Sequence, residues 1–215
     1  SEPLELVGFE RTLSSAEKRA KTDRIMELCG LPSHYANLYP HELDGGLRQR
    51  VGLARAMVLE PKLIVCDEPV SSLDVSIQAQ ILNLLMDLQD DKKLSYMFIT
   101  HDLAVVKHIS DEIMVMYMGQ VIEYSGTEDL FRNPLHPYTK ALFAAIPTID
   151  LSRRSRERIP LAGEVTSPVN PSPGCRFAAR CPFVKEDCRK TPCLIEVEPN
   201  HFVTCVNGKP NVREV

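Results

Sequence analysis

HELDGGLRQRVGLARAMVLEPKLIVCDEPVSSLD, from His41 to Asp74, sets a glycine-opened helix ahead of an acid-ended strand. Lys62 to Cys66 form a short, mainly apolar run after Pro61 with the composition of a buried parallel strand, and the run ends in Asp67 and Glu68. Open α/β sheets place their ligands at the C-terminal ends of strands. An Asp there can hold Mg²⁺ through a water, and an adjacent Glu can polarise the water that attacks a γ-phosphate. Taken alone, the same residues read equally well as a strand ending in a solvated acidic turn.

The preceding segment adds a second phosphate-handling feature. Gly45 and Gly46 precede Leu47 to Leu59, where Leu47, Val51, Leu53, Ala54 and Val58 fall on one helical face. A Gly-Gly pair opening a helix presents bare N–H groups and the positive dipole end to an anion. An ordinary loop is the alternative for the pair in isolation. The acidic strand end at this distance makes the combination specific.

On these residues the chain resembles the nucleotide-binding subunits of ABC transporters. LDGGLRQR resembles the family signature, LIVCDEP the Walker B strand, SSLD (Ser71 to Asp74) the D-loop and ITHD (Ile99 to Asp102) the switch-histidine motif, in the family's order. The resemblance implies ATP as nucleotide, Asp67 in the Mg²⁺ shell, Glu68 as catalytic base and His101 as γ-phosphate sensor. It implies that Asp44, Gly45, Gly46 and Leu47 meet the nucleotide through the signature, with Ser72 and Asp74 in the D-loop and Asp74 facing the dimer partner. Asp44 stands where the family has Ser. A carboxylate is an acceptor only and carries the wrong sign for a phosphate, so repulsion and a weakened composite site are expected, with helix capping as the alternative.

No Gly satisfies G-x-x-x-x-G-K-[ST], and the Gly208-Lys209 pair is followed by Pro210. The expectation is an α/β, partial P-loop NTPase (ABC ATPase) fold with its helical subdomain, truncated at the N-terminus, plus a small Cys-rich C-terminal extension. Residues 1–130 are assigned to the partial ATPase domain, 131–174 to a helix and Pro-rich linker, and 175–215 to the Cys-rich module. Such a chain is expected to bind ATP weakly by itself and to turn none over.

With 215 residues and 44% hydrophobic content the chain can bury a core, and a net charge of −4 gives no general attraction to nucleic acid. No apolar run approaches a membrane span. Ser14 and Glu17 form a capping box before a helix to about Cys29, with Gly30 at its C′ position. Asp74 can cap a helix bearing Ile77, Ile81, Leu84, Leu85 and Leu88; Ser95 to Thr100 is a strand; Asp111 to Tyr124 is a hairpin turning near Gly119; and Thr127 caps a short helix.

NPLHPYTKALFAAIP, marked by His136, Pro137 and Tyr138, resembles the tail of the oligopeptide and dipeptide importer branch. Arg153, Arg154, Arg156 and Arg158 follow as a solvated charge run. Cys175, Cys181, Cys188 and Cys205 then cluster in sequence, with Cys193 between. Clustered thiols in a reducing compartment are more often metal ligands than disulfides, and irregular spacing without C-x-x-C knuckles suits an iron-sulfur cluster better than a zinc ribbon. The branch has the same tail, and the resemblance implies a four-iron four-sulfur cluster on these four thiols; zinc and free structural thiols are the alternatives.

The resulting expectation is an ATP-hydrolysing subunit for peptide import at the cytoplasmic face of a bacterial or archaeal plasma membrane. Its partners would be a second ATPase subunit, membrane permeases and, indirectly, an extracytoplasmic solute-binding protein, with no nucleic acid. A non-hydrolysing partner or regulatory metal module is the alternative. A soluble ABC protein of DNA or ribosomes is disfavoured by the tail and the acidic balance.

Overall fold

The structure, a computed structural model, describes residues 14–146, 169, 171, 173–190 and 193–205. The arginine run, most of the expected linker and the first thirteen residues lie outside them. The chain forms two compact units, 1–102 and 103–215.

Unit one begins with α1 (Ser15–Leu28). Ser14 N–H donates to Glu17 Oε2 at 2.7 Å and Glu17 N–H donates back to Ser14 Oγ at 3.3 Å, the expected capping box. The helix closes with Leu31 N–H on Met26 O and Gly30 N–H on Glu27 O, the paired bonds of a Schellman motif. α2 (Gly45–Met57) starts two residues before the apolar periodicity, because Asp44 rather than the glycine pair is its N-cap. The strands β1 (Leu63–Asp67) and β2 (Ser95–Ile99) are joined by α3 (Val75–Lys92) and pair in parallel, Leu63 opposite Ser95 through Asp67 opposite Ile99. A parallel pair requires such a crossover.

Ile64 and Cys66 of β1 are buried with Ile81, Leu85 and Leu88 of α3 in the unit's core. The other face of β1 departs from the expected fully buried strand. Leu63, Val65, Met97 and Ile99 are about half exposed, so among the described residues the sheet is covered on one side only. Arg50 of α2 donates to Cys29 O at 3.1 Å and to Gln80 Oε1 at 3.3 Å, linking the end of α1 to α3.

Unit two opens with α4 (Leu103–Ile109) and holds a four-stranded antiparallel sheet of order β3-β4-β6-β5. β3 (Glu112–Tyr117) and β4 (Gln120–Gly126) turn through Met118 and Gly119, with φ 48° and 74°. Two successive positive φ values give the primed turn that matches strand twist. α5 (Thr127–Arg132) and α6 (Pro137–Ala144) follow, and β5 (Ile195–Glu198) and β6 (His201–Val203) complete the sheet. Thr127 is not the cap of α5: Gly126 takes that position, and the Thr127 hydroxyl donates instead to Ser110 O.

The Cys-rich segment belongs to this unit. β6 pairs with β4, Glu123 opposite Val203, and Phe177 is fully buried beside Ile113, Val115, Tyr117, Ile122 and Leu130. Phe177 meets Tyr117 and Tyr138 edge-on at 5.3 and 5.5 Å. A separate C-terminal extension is therefore not supported; a buried aromatic and a shared sheet hold the segment to the hairpin.

The junction also buries charge. Glu123, wholly inaccessible, accepts from Leu135 N–H at 2.7 Å, His136 N–H at 2.9 Å and His201 Nε2 at 2.8 Å. A carboxylate so enclosed needs that full set of donors.

Candidate active site

β1 and β2 end side by side, and their C-terminal ends bring Asp67, Glu68 and His101 together. Glu68 follows the last residue of β1, and its N–H donates across to Ile99 O at 2.8 Å. Its φ of 44° is left-handed, a backbone conformation that non-glycine residues adopt chiefly where surrounding structure imposes it. His101 Nδ1 lies 3.0 Å from Glu68 Oε1. An ionised carboxylate only accepts, so Nδ1 carries the proton in this contact. Hydrogen bonding from His101, then from Ser71, holds the Glu68 carboxyl below the usual carboxylate range, against a small opposing effect of burial. Glu68 is therefore an anion at neutral pH, the state required of a base.

Asp44 accepts from Leu47 N–H at 2.8 Å through Oδ1. The carboxylate turns onto its own helix, the capping alternative, where the dipole favours it and an N–H is satisfied. Gly45 and Gly46 pack against the start of α3. A Cβ on Gly46 would stand 2.6 Å from Ile77 Cγ2, and one on Gly45 3.1 Å from Leu73 Cδ2. The pair therefore has a packing reason that the sequence reading did not contain. Asp74 caps α3 as expected, accepting from Ser76 N–H at 3.1 Å and Ile77 N–H at 3.0 Å. Ser72 is exposed on the loop between β1 and α3, beside Leu73.

The four thiols lie in unit two, apart in sequence from these groups. Burial pushes the Cys175 and Cys181 thiols up, partly offset by hydrogen bonds from the Phe177 and Phe183 N–H groups. Lys185 N–H donates to Cys188 Sγ at 3.4 Å, and Cys205 is buried. Among the described residues, however, no group of three or more His, Cys, Asp or Glu side chains is arranged to hold a metal ion. The geometry thus gives no support to the expected cluster. Sequence reasoning also missed Glu123 and His201, a buried pair 78 residues apart with no motif to announce it.

Residues 4–71 match the ABC transporter family, and residues 122–188 match the oligopeptide/dipeptide transporter C-terminal region. The chain belongs to the ABC transporter ATP-binding family, in its oligopeptide/dipeptide branch.

It is 50% identical over 191 residues to the oligopeptide transport ATP-binding protein AppF of Bacillus subtilis (strain 168), covering 88% of this chain and 58% of that protein. It is 48% identical over 211 residues to OppF of Escherichia coli (strain K12), covering 98% and 63%. The dipeptide transport ATP-binding protein DppF of Haemophilus influenzae is 51% identical over 194 residues, covering 90% and 59%. The chain therefore spans about three-fifths of the length of these relatives. Among solved structures, cbiO1 from Clostridium perfringens matches with TM-score 0.53 at 28% identity, over 60% of this chain and 51% of that one. The ADP form of the ATP-binding cassette MJ1267 matches with TM-score 0.54 at 25% identity, over 67% and 57%.

Proposed function

We propose that this chain supplies the signature and the hydrolytic strand ends of an ATP-binding subunit that energises import of oligopeptides or dipeptides. The observation that carries the reading is the His101–Glu68 contact of 3.0 Å at the ends of two parallel strands, with Asp67 next in sequence. In this reading Glu68, kept ionised, accepts a proton from the attacking water, and His101 orients Glu68 and faces the γ-phosphate. The exposed Asp67 carboxylate, a hard oxygen donor, fits the hydration shell of the nucleotide's Mg²⁺. That ion would supply charge neutralisation on the phosphates. Gly45 and Gly46, with Ser72 and Asp74, face a nucleotide held by a second ATP-binding subunit. Membrane permeases and the cytoplasmic face of the plasma membrane are the corresponding partners and place, with an extracytoplasmic solute-binding protein acting upstream.

The test uses the full-length ATPase containing this chain, assembled with its partner subunits. Glu68→Gln is expected to abolish steady ATP turnover while nucleotide binding persists; turnover equal to the native protein's would overturn the reading. A second reading, a partner contributing a weak composite site, is favoured by Asp44, whose carboxylate brings no hydroxyl donor to the signature. Under that reading Glu68→Gln would lower turnover only in part.

We also propose Cys175, Cys181, Cys188 and Cys205 as a soft-metal site, a four-iron four-sulfur cluster first and zinc second. N–H donors on three of the four sulfurs support it, since such bonds stabilise thiolates. As they stand the thiols do not converge on an ion, and no step of the proposed reaction passes through them.

A further inference from the structure

Gln78 lies in the first turn of α3 and is engaged at both ends. Its N–H donates to Asp74 O at 2.8 Å, and its Nε2 donates to Asp102 Oδ2 at 3.4 Å. Asp102 directly follows His101, and its own N–H donates to Thr100 Oγ1 at 3.1 Å. The turn that carries His101 off the end of β2 is thus tied to the helix behind it. We propose that Gln78 is a positioning residue for the His101–Glu68 contact and mechanically joins that contact to the loop ending at Asp74. The inference rests on the reading of Glu68 and His101 as the hydrolytic pair.

The contact itself needs such support. The His101 and Glu68 side chains are 75% and 49% exposed, and an exposed pair contributes little to holding its own geometry. Gln78, by contrast, is mounted on a fixed base. Asp74 caps the same turn, and Ile77 is packed so closely on Gly46 that no Cβ fits there. A displacement of the loop ending at Asp74 moves that turn, and the Gln78 amide carries the movement to Asp102 and so to His101. The chemistry at position 78 is specific. Asp102 presents a carboxylate, which requires a donor, so the amide nitrogen is the useful end of the side chain. A guanidinium keeps a donor of comparable reach, whereas a carboxylate repels.

Two measurements test this. In the 215-residue chain, the imidazole ¹⁵N resonance of His101 Nδ1 reports its hydrogen bond to Glu68. Glu68→Gln is expected to shift that resonance in the native background and in Gln78→Arg, and to have no effect in Gln78→Glu. An equal response in all three backgrounds would overturn the proposal. In the assembled ATPase, Gln78→Glu is expected to lower kcat roughly tenfold, the scale of a small misplacement of reacting groups, with KM unchanged. Gln78→Arg should restore it, and Gln78→Glu should cost nothing further on top of His101→Ala. Additive losses would refute positioning through His101. Should the native assembly hydrolyse no ATP while the resonance pattern holds, the hydrolytic reading fails and the positioning role stands.

Discussion

His136 makes unit two sensitive to acid. The ring is 1% exposed, and its Nδ1 accepts the Tyr138 N–H at 3.1 Å as the N-cap of α6. The proton of the neutral ring is therefore on Nε2, which has no hydrogen-bond partner among the described residues. Burial lowers the His136 pKa from 6.5 to about 4, with the charge of Glu123 opposing the fall. In the unfolded chain the imidazole takes up a proton near its ordinary value, but in the folded chain only near pH 4. Between those limits the unfolded state binds more protons, so stability falls as pH drops through the window and falls no further from this group below it. At about 1.4 kcal/mol for each tenfold difference in proton affinity, the loss amounts to about 3 kcal/mol. The chain has no Trp, so urea unfolding followed by far-UV circular dichroism is the suitable assay. His136→Asn keeps an acceptor for Tyr138 N–H and does not titrate. The packing loss it causes lowers stability at every pH alike, and Glu123 and His201 are common to both proteins. Native protein should lose about 3 kcal/mol more than the variant between about pH 7 and about pH 4. Parallel stability curves would refute the argument.

Glu123→Ala leaves His201, the buried His136 N–H and the half-buried Leu135 N–H without their acceptor and should cost about 3–5 kcal/mol, read in the same unfolding assay; a loss within experimental error would show that water replaces the carboxylate. Asp44→Ala removes the cap of α2 and should cost about 1 kcal/mol, whereas Asp44→Ser, itself a capping residue, should cost little. Equal effects of the two would exclude a capping role. Anaerobically purified protein should contain iron and sulfide in equal amounts, lost when any of Cys175, Cys181, Cys188 or Cys205 becomes Ser and kept in Cys193→Ser. Zinc without iron assigns a structural zinc site instead, and absence of both metals leaves four free thiols.

What the sequence made legible was local. The Ser14–Glu17 box, the Asp74 cap and the hairpin turn at Gly119 are decided within a few residues by hydrogen-bond partners or by φ, and each is found as expected. The strand-end acids and His101 were legible because parallel strands joined by a helix must end at the same edge. Asp44 was harder: its charge was plain, but the direction of its carboxylate depends on competition between its own helix and a ligand. The β4–β6 pairing had no local signal at all. Glu123 and His201 look like ordinary polar residues until the sheet brings them into contact.

The glycine pair shows how one local sequence answers two demands. An anion needs a helix start with bare N–H groups, and Gly45 and Gly46 offer one. The same absence of side chains lets α2 press against Leu73 and Ile77, so the start of the signature helix and the capped start of α3 lie against each other. Gln78, one residue beyond Ile77, reaches the residue after His101. The glycine-opened start of α2 is thus in direct packing contact with the helix that holds the turn carrying His101. A larger residue at Gly46 would therefore be felt in two places: at the start of α2, and through Ile77 and Gln78 at the His101–Glu68 contact.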